Sequence, residues 1–395
     1  MHLRKFALYI LATALMFAGC KKNDSDTVDN STNNDEDCFQ NNSVSSNGAA
    51  VSGRYIVAYK ASAIVGRGVS VQQMKAFSTD VLEKHRIHLE KLDADFPGEP
   101  GGFIATLSAE EAQRLKEDEN IAAIEPDRIV SLGSCFTIVE PRLVTWNVNR
   151  VGYGDGTGKR AWIIDTGIDF DHPDLTVDAA KSKSFVNGIT SAEDENGHGT
   201  HVAGIIGAKN NTIGVLGIAS GATLISLRVL DKNGGGLLSN IIRALAYVNE
   251  NASAGDVVNM SVGEDEGVSE ILDQQVKATA AKGIFIAIAA GNDGKLANKF
   301  SPGRTNAENV YTVSAVDSLD HFASFSNYGN DVVDYAAPGV RILSTFKGGK
   351  YAYMSGTSMA APHVAGLLLL KGKNITSSGT ANGDPDSVPD AIAHY

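Results

Sequence analysis

The sequence predicts an α/β protein: a doubly wound, mainly parallel sheet with helices on both faces, preceded by a small α+β open-faced sandwich. Two features predict it. From residue 159 onward, near-continuous apolar β-type runs alternate with helical patterns. Strands of that kind are buried on both faces, so helices must lie above and below them. Before them comes a shorter stretch ordered strand, helix, strand, helix, strand, a βα…βαβ unit that covers one face of its sheet.

Taken in chain order, residues 1–20 read as an export signal. His2, Arg4 and Lys5 precede an apolar stretch, 6–17, and Ala18-Gly19-Cys20 follow. That stretch falls short of the roughly 20 apolar residues of a membrane span. The small residues before Cys20 resemble a bacterial lipoprotein processing site, which would put a lipid, and so a membrane anchor, on Cys20. An ordinary signal cut nearby, with Cys20 incidental, is the alternative. Residues 21–52 are rich in Asn, Asp, Ser and Thr with few large apolar side chains, the composition of a disordered tether.

Residues 53–131 hold the small unit. Strands are predicted at 54–59, 102–107 and 121–130, with a helix over 69–92. A second helix opens at Ser108, where Glu111 completes a capping box. Cys38 and Cys135 flank this unit, and both a bridge and two free thiols remain open. Beyond about residue 141, strands are predicted at 159–164, 223–229, 257–260, 284–289 and 310–316, with helices at 239–249 and 270–282. In such sheets the ligand crevice lies at the carboxyl ends of the strands. Asp165 and Asn292 both follow a strand and should face it.

The net charge of −12 argues against nucleic acid as a partner. The chemistry-bearing residues fall in short motifs: Asp165-Thr166-Gly167-Ile168, His198-Gly199-Thr200-His201, and Gly356-Thr357-Ser358-Met359-Ala360-Ala361-Pro362. A serine hydroxyl is a weak nucleophile until an imidazole takes its proton and a carboxylate orients the imidazole. Asp165, His198 and Ser358 supply those three groups. Ser358 opens a helix of small residues, with Pro362 placed in the first turn, where an amide has no intrahelical partner. A metal pair of His198 and His201 is the competing reading; His201 reads better as a buried, satisfied histidine. Asp169 and Asp171 are further carboxylates near Asp165.

These blocks, with Ala289-Ala290-Gly291-Asn292 and Asn259-Met260-Ser261-Val262-Gly263, resemble the subtilisin and proteinase K family of serine endopeptidases over most of the chain after residue 144. The resemblance implies an acyl-enzyme on Ser358, with Asn292 donating to the oxyanion and no cofactor for catalysis. It implies that Gly234, Gly235 and Gly236 and the segment Ser261, Val262 and Gly263, with Ala290 and Gly291, hold a peptide or protein substrate as an added strand. Glu264 stands where the family often has glycine, leaving specificity open. Residues 53–131 resemble the family's inhibitory prodomain, giving a self-processing zymogen cut between about 131 and 141 and a catalytic domain over 141–395. The loop 210–217 resembles the family's structural calcium site, with Asp174, Asn211 and the carbonyls of Lys209, Ile213 and Val215 as ligands; Arg142 falls where the family supplies a further amide, and a metal-free loop is the alternative. The expectation is therefore a monomeric, exported enzyme, either extracellular or a lipoprotein of the cell envelope.

Overall fold

The computed structural model describes residues 48–64, 71–131, 136–138, 144–263 and 267–395. All lie in one unit, Asp35–Tyr395. The export signal, most of the tether, Cys20, Cys38, Cys135, Arg142 and Glu264 lie outside the described residues. Among the described residues no helix is long and apolar enough to cross a membrane.

The N-terminal unit is an antiparallel sheet with two main helices. Strand order is Ile121–Ser131, Ala50–Tyr59, Gly102–Thr106, Leu92–Phe96. Alternation along the strands divides the sheet's two faces. Val57, Tyr59, Phe103 and Ala105 pack with Met74, Val81, Leu82 and Leu115 from the unit's own helices. Ile56, Ala58, Ile104 and Val130 instead join Ile241, Ile242 and Leu245 of the larger domain. The capping box at Ser108 forms in both directions, Glu111 N–H to Ser108 Oγ at 3.2 Å and Ser108 N–H to Glu111 Oε2 at 2.8 Å.

Two details differ from the sequence reading. The first helix is Val71–Lys84 and not 69–92. Arg86 turns left-handed at φ 55° and Ile87 N–H bonds back to the Leu82 carbonyl, which closes the helix. The chain then enters a short strand, Leu92–Phe96, in which the two aspartates alternate with apolar residues. The first strand also starts at Ala50, within the stretch read as tether.

The larger domain is a nine-stranded sheet, parallel except for its terminal pair Thr376–Thr380 and Ala391–His394. Arg160–Asp165 lies between Thr223–Arg228 and Val257–Met260. The chain leaves Arg160–Asp165 toward one edge, returns, and builds Val257–Met260, Phe285–Ala289 and Val310–Val316 toward the other. The switch point therefore lies beside Asp165.

Side-chain size sets the two layers. Ala161, Ile163, Val257, Ala287 and Ala315 face the helices His198–Gly207 and Thr357–Lys371, and the small side chains let the buried helix Thr357–Lys371 approach closely. Trp162, Ile164, Ile286 and Ile288 face the opposite way, toward the helices Leu238–Asn251 and Glu270–Ala280. Pro362 is the sixth residue of Thr357–Lys371, beyond the first turn, so it removes a regular helix bond. The carbonyl it leaves open is that of Ser358, which accepts the Ser261 hydroxyl at 2.8 Å.

Candidate functional site

Asp165 ends its strand fully buried. Gly167 turns at φ 123°, and the chain then runs out before returning as the helix that begins at His198. A Cβ on Gly199 would lie 2.1 Å from the Gly167 carbonyl and 3.1 Å from Asp165 Oδ1, so only glycine lets this helix meet the Asp165 strand so closely. His198 Nδ1 consequently sits 2.8 and 2.9 Å from the two Asp165 oxygens. Facing a carboxylate, Nδ1 must carry the ring proton, which leaves Nε2 as a bare acceptor. Nε2 is buried and has no hydrogen-bond partner among the described residues. Such an orphan acceptor is rare in a folded interior.

Ser358 is the second residue of its helix, and this helix packs on the His198 helix. Its hydroxyl donates to the Ser261 carbonyl at 3.3 Å. Asn292 Oδ1 accepts from Thr357 N–H at 2.8 Å and Thr357 Oγ1 at 2.9 Å. With its oxygen so engaged, Asn292 turns its amide nitrogen away from Thr357. A Cβ on Gly356 would lie 3.6 Å from Ser358 N and 3.7 Å from both Asn292 Nδ2 and Oδ1, so both donors border one space beside Gly356.

Gly234 forms a turn, and Gly235–Leu237 is a strand paired antiparallel with 129–131 of the N-terminal unit: Gly235 with Ser131, Gly236 with Val130, Leu237 with Ile129. The glycine run is thus a template for an extended chain. Ser261, Val262 and Gly263 leave the end of Val257–Met260 as irregular chain, with Ser261 on the Ser358 helix. Ala290 and Gly291 lead directly into Asn292. The N-terminal unit also places two acids on helix starts. Asp127 accepts Ser239 N–H at 3.0 Å and Ser239 Oγ–H at 2.5 Å at the head of Leu238–Asn251. Glu125 accepts the hydroxyl of Ser269, the N-cap of Glu270–Ala280. A carboxylate at the head of Leu238–Asn251 suits that positive helix end.

His201 is not part of a metal pair. Its Nε2 contacts the Ile342 and Ala352 carbonyls at 2.9 and 3.0 Å, and burial pushes its pKa down to about 3. Asp169 accepts the Gly348 and Gly349 amides and does not replace Asp165. At the loop 210–217, Asp174 accepts from Asn211 Nδ2 at 2.8 Å and Val215 N–H at 3.0 Å. Asn211 Oδ1 holds Ile213 N–H at 2.8 Å, and Lys209 N–H bonds to the Asp174 carbonyl. Lys209, Ile213 and Val215 thus reach Asp174 and Asn211 through their N–H groups, not through the carbonyls expected as ligands. The Asp174 carboxyl, raised by burial, has amide and hydroxyl donors around it and no salt bridge. A cation fits that charge.

Several functional supports escaped the sequence reading. Asp194 accepts from Thr166 Oγ1, Asn196 N–H and Gly197 N–H on one oxygen, each at 2.9 Å, and from Thr200 N–H and Oγ1 on the other, at 2.9 and 2.6 Å. Thr166 Oγ1 in turn accepts Gly199 N–H at 2.9 Å, so one carboxylate ties the Asp165 turn to the His198 helix. Its available signal was an acid four residues before the histidine in a glycine-bearing turn. Thr357 and Asn327 carried none.

Residues 161–380 match the model of the subtilase family, and residues 54–133 match the peptidase inhibitor I9 model. The chain belongs to the subtilase family. It is 39% identical over 283 residues to the alkaline serine protease ver112 of Corniculantispora psalliotae, covering 67% of this chain and 70% of that protein. It is 45% identical over 226 residues to a thermophilic serine proteinase of Bacillus sp. (strain AK1), 57% of this chain and 54% of that one. An extracellular serine proteinase of Thermus sp. (strain Rt41A) is 35% identical over 344 residues, 81% and 80% of the two chains. Among solved structures, a cold adapted subtilisin-like serine proteinase superposes with a TM-score of 0.52 at 36% identity, over 58% of this chain and 85% of that one. This subtilase is a serine protease with an I9 inhibitor unit ahead of its protease domain.

Proposed function

We propose that the protein is an exported endopeptidase made as a self-processing zymogen, acting through Ser358, His198, Asp165 and Asn292. The observation that carries the reading is the buried Nε2 of His198, unpartnered among the described residues, whose other ring nitrogen is held by Asp165. Substrate lies along Gly235–Leu237, where residues 129–131 of the chain itself lie before processing. Ser261 to Gly263 form the opposite wall. The Ser358 hydroxyl turns from the Ser261 carbonyl, gives its proton to Nε2, and attacks the scissile carbonyl. Apo contacts of this kind commonly tighten only with substrate bound. The oxyanion enters the space beside Gly356, accepting from Ser358 N–H and Asn292 Nδ2. His198 then protonates the leaving amine, and water admitted to the site hydrolyses the acyl-enzyme.

Processing in this reading divides an inhibitory prodomain, 53–131, from a catalytic domain, 141–395. Cys20 carries the lipid that anchors the enzyme at the cell envelope; a Cys20→Ser chain should move from the membrane to the soluble fraction. Calcium is held structurally by Asp174, Asn211 and the carbonyls of Lys209, Ile213 and Val215, and takes no part in the chemistry. Calcium at about 100 times its Kd stabilises by roughly 2.7 kcal/mol. The Tm should therefore fall by several degrees in chelator, and Asp174→Asn should abolish the difference. Equal Tm values with and without calcium would remove the site.

The experiment for the whole reading is peptide mass mapping after a serine-reactive sulfonyl fluoride. An adduct on Ser358 in a chain that has lost the residues before about 141 is the expected result. A processed chain with no adduct overturns it.

A further inference from the structure

Asn292 sits on a loop, 290–295, that belongs to no strand or helix. Ala290 N–H to the Val313 carbonyl, Gly291 N–H to Thr357 Oγ1 and Gly294 N–H to the Phe325 carbonyl tie it to neighbouring segments, and Asn327, from a distant segment and itself fully buried, adds bonds on both sides of Asn292. Asn327 Nδ2 donates to the Ala290 carbonyl at 3.0 Å, and its backbone N–H donates to the Gly291 carbonyl at 2.9 Å. Its Oδ1 accepts from Asp293 N–H and Lys295 N–H, both at 3.0 Å. Two of these bonds fall before Asn292 and two after it. Gly291 makes the approach possible: it has φ 105°, and a Cβ there would stand 2.3 Å from Asn327 Nδ2.

We propose that Asn327 is the positioning residue for the oxyanion donor, clamping the backbone on both sides of Asn292 so that its amide is aimed before substrate arrives. The inference rests on reading Asn292 as that donor. Thr357 fixes the Asn292 side-chain oxygen, and Asn327 fixes the backbone from which the side chain springs. Neither residue touches the reacting atoms. An oxyanion donor acts by being already in place, so the gain is lost when it must be ordered during reaction. A carboxamide is required because the clamp needs a donor toward Ala290 and an acceptor toward Asp293 and Lys295. A carboxylate at this position would face the Ala290 carbonyl oxygen and repel it.

The test is a double-mutant cycle on full-length chains that mature with their own N-terminal unit, reading kcat and KM on one peptide substrate. Asn292→Ala should lower kcat by about 10²–10³. Asn327→Ala should lower kcat by about 10- to 100-fold, with KM within about threefold, because a misplaced group weakens the transition state rather than substrate binding. In the Asn292→Ala background the Asn327 substitution should cost less than about threefold. A loss of equal size in both backgrounds overturns the clamp while leaving the oxyanion reading intact. An Asn292→Ala loss below about tenfold removes the oxyanion reading and the clamp with it. Should Asn327→Ala fail to fold, Asn327→Asp retains the acceptor to Asp293 and Lys295 and carries the same cycle.

Discussion

Asp194 shows how much of this site depends on residues that never meet substrate. One buried carboxylate gathers donors from Thr166, Asn196, Gly197 and Thr200, and so joins the turn after Asp165 to the start of the His198 helix. Removing an acceptor of this kind leaves several buried amides unpaired, at about 1–3 kcal/mol each. Asp194→Ala is therefore expected to cost about 3–5 kcal/mol in a denaturant melt, measured in a Ser358→Ala chain so that processing does not confuse the comparison. A cost under about 1 kcal/mol would show that the loop re-forms its bonds elsewhere. Ser261 gives a smaller case. Its hydroxyl serves the Ser358 carbonyl that Pro362 leaves without an amide. Ser261→Ala should cost about 1–2 kcal/mol in the same melt, whereas the same change at an exposed serine should cost little.

Among the elements, Gly235–Leu237 couples the two units most directly. A Cβ on Gly236 would meet the Val229 carbonyl at 2.5 Å and Leu230 Cδ2 at 2.7 Å. Gly236→Ala must push this strand away from its own domain, spoiling the register in which it receives residues 129–131. The expected outcome is a rise in KM for extended peptides of about tenfold with kcat little changed, since strand pairing binds ground and transition states alike. Elements of this larger domain were legible because buried parallel strands announce themselves as apolar runs, as in 160–165 and 284–289. The strand Leu92–Phe96 was missed: Leu-Asp-Ala-Asp-Phe does alternate apolar and polar, but five residues without a β-branched side chain, directly after a helix, give a short signal. The same division holds in the site. Asp165, His198, Ser358 and Asn292 lie in recognisable blocks, and the chemistry that needs them can be named. Asn327 acts through hydrogen bonds to distant backbone, and Thr357, though inside the Ser358 block, through bonds to the distant Asn292 side chain; nothing local to either signals that partnership.

Across the whole molecule, the docked N-terminal unit is sensitive to pH through Glu125. Burial against the larger domain pushes its pKa up to about 7, and the nearby Asp273 carboxylate adds to the rise. Ser269, the Ile271 amide and Arg128 oppose it without cancelling it. Asp273, on the helix that Glu125 faces, is itself raised by burial, which Ser301, Thr305 and Arg304 oppose. Once the unit leaves, Glu125 meets water and returns toward an ordinary glutamate near 4.3. The docked state thus binds the proton more tightly than the released state. Docking is strongest below about pH 4.5, weakens as pH rises, and has lost this contribution once pH passes about 7. Across that window the cleaved N-terminal unit should leave faster by on the order of a hundredfold. Activity alone mixes release with turnover and cannot report the effect. The ratio of release times between the natural chain and Glu125→Gln cancels what the two share. That ratio should change steeply between pH 5 and 7 and level off above it. A flat ratio would show that Glu125 stays solvated in the complex, and that the two units separate for reasons unconnected with its charge.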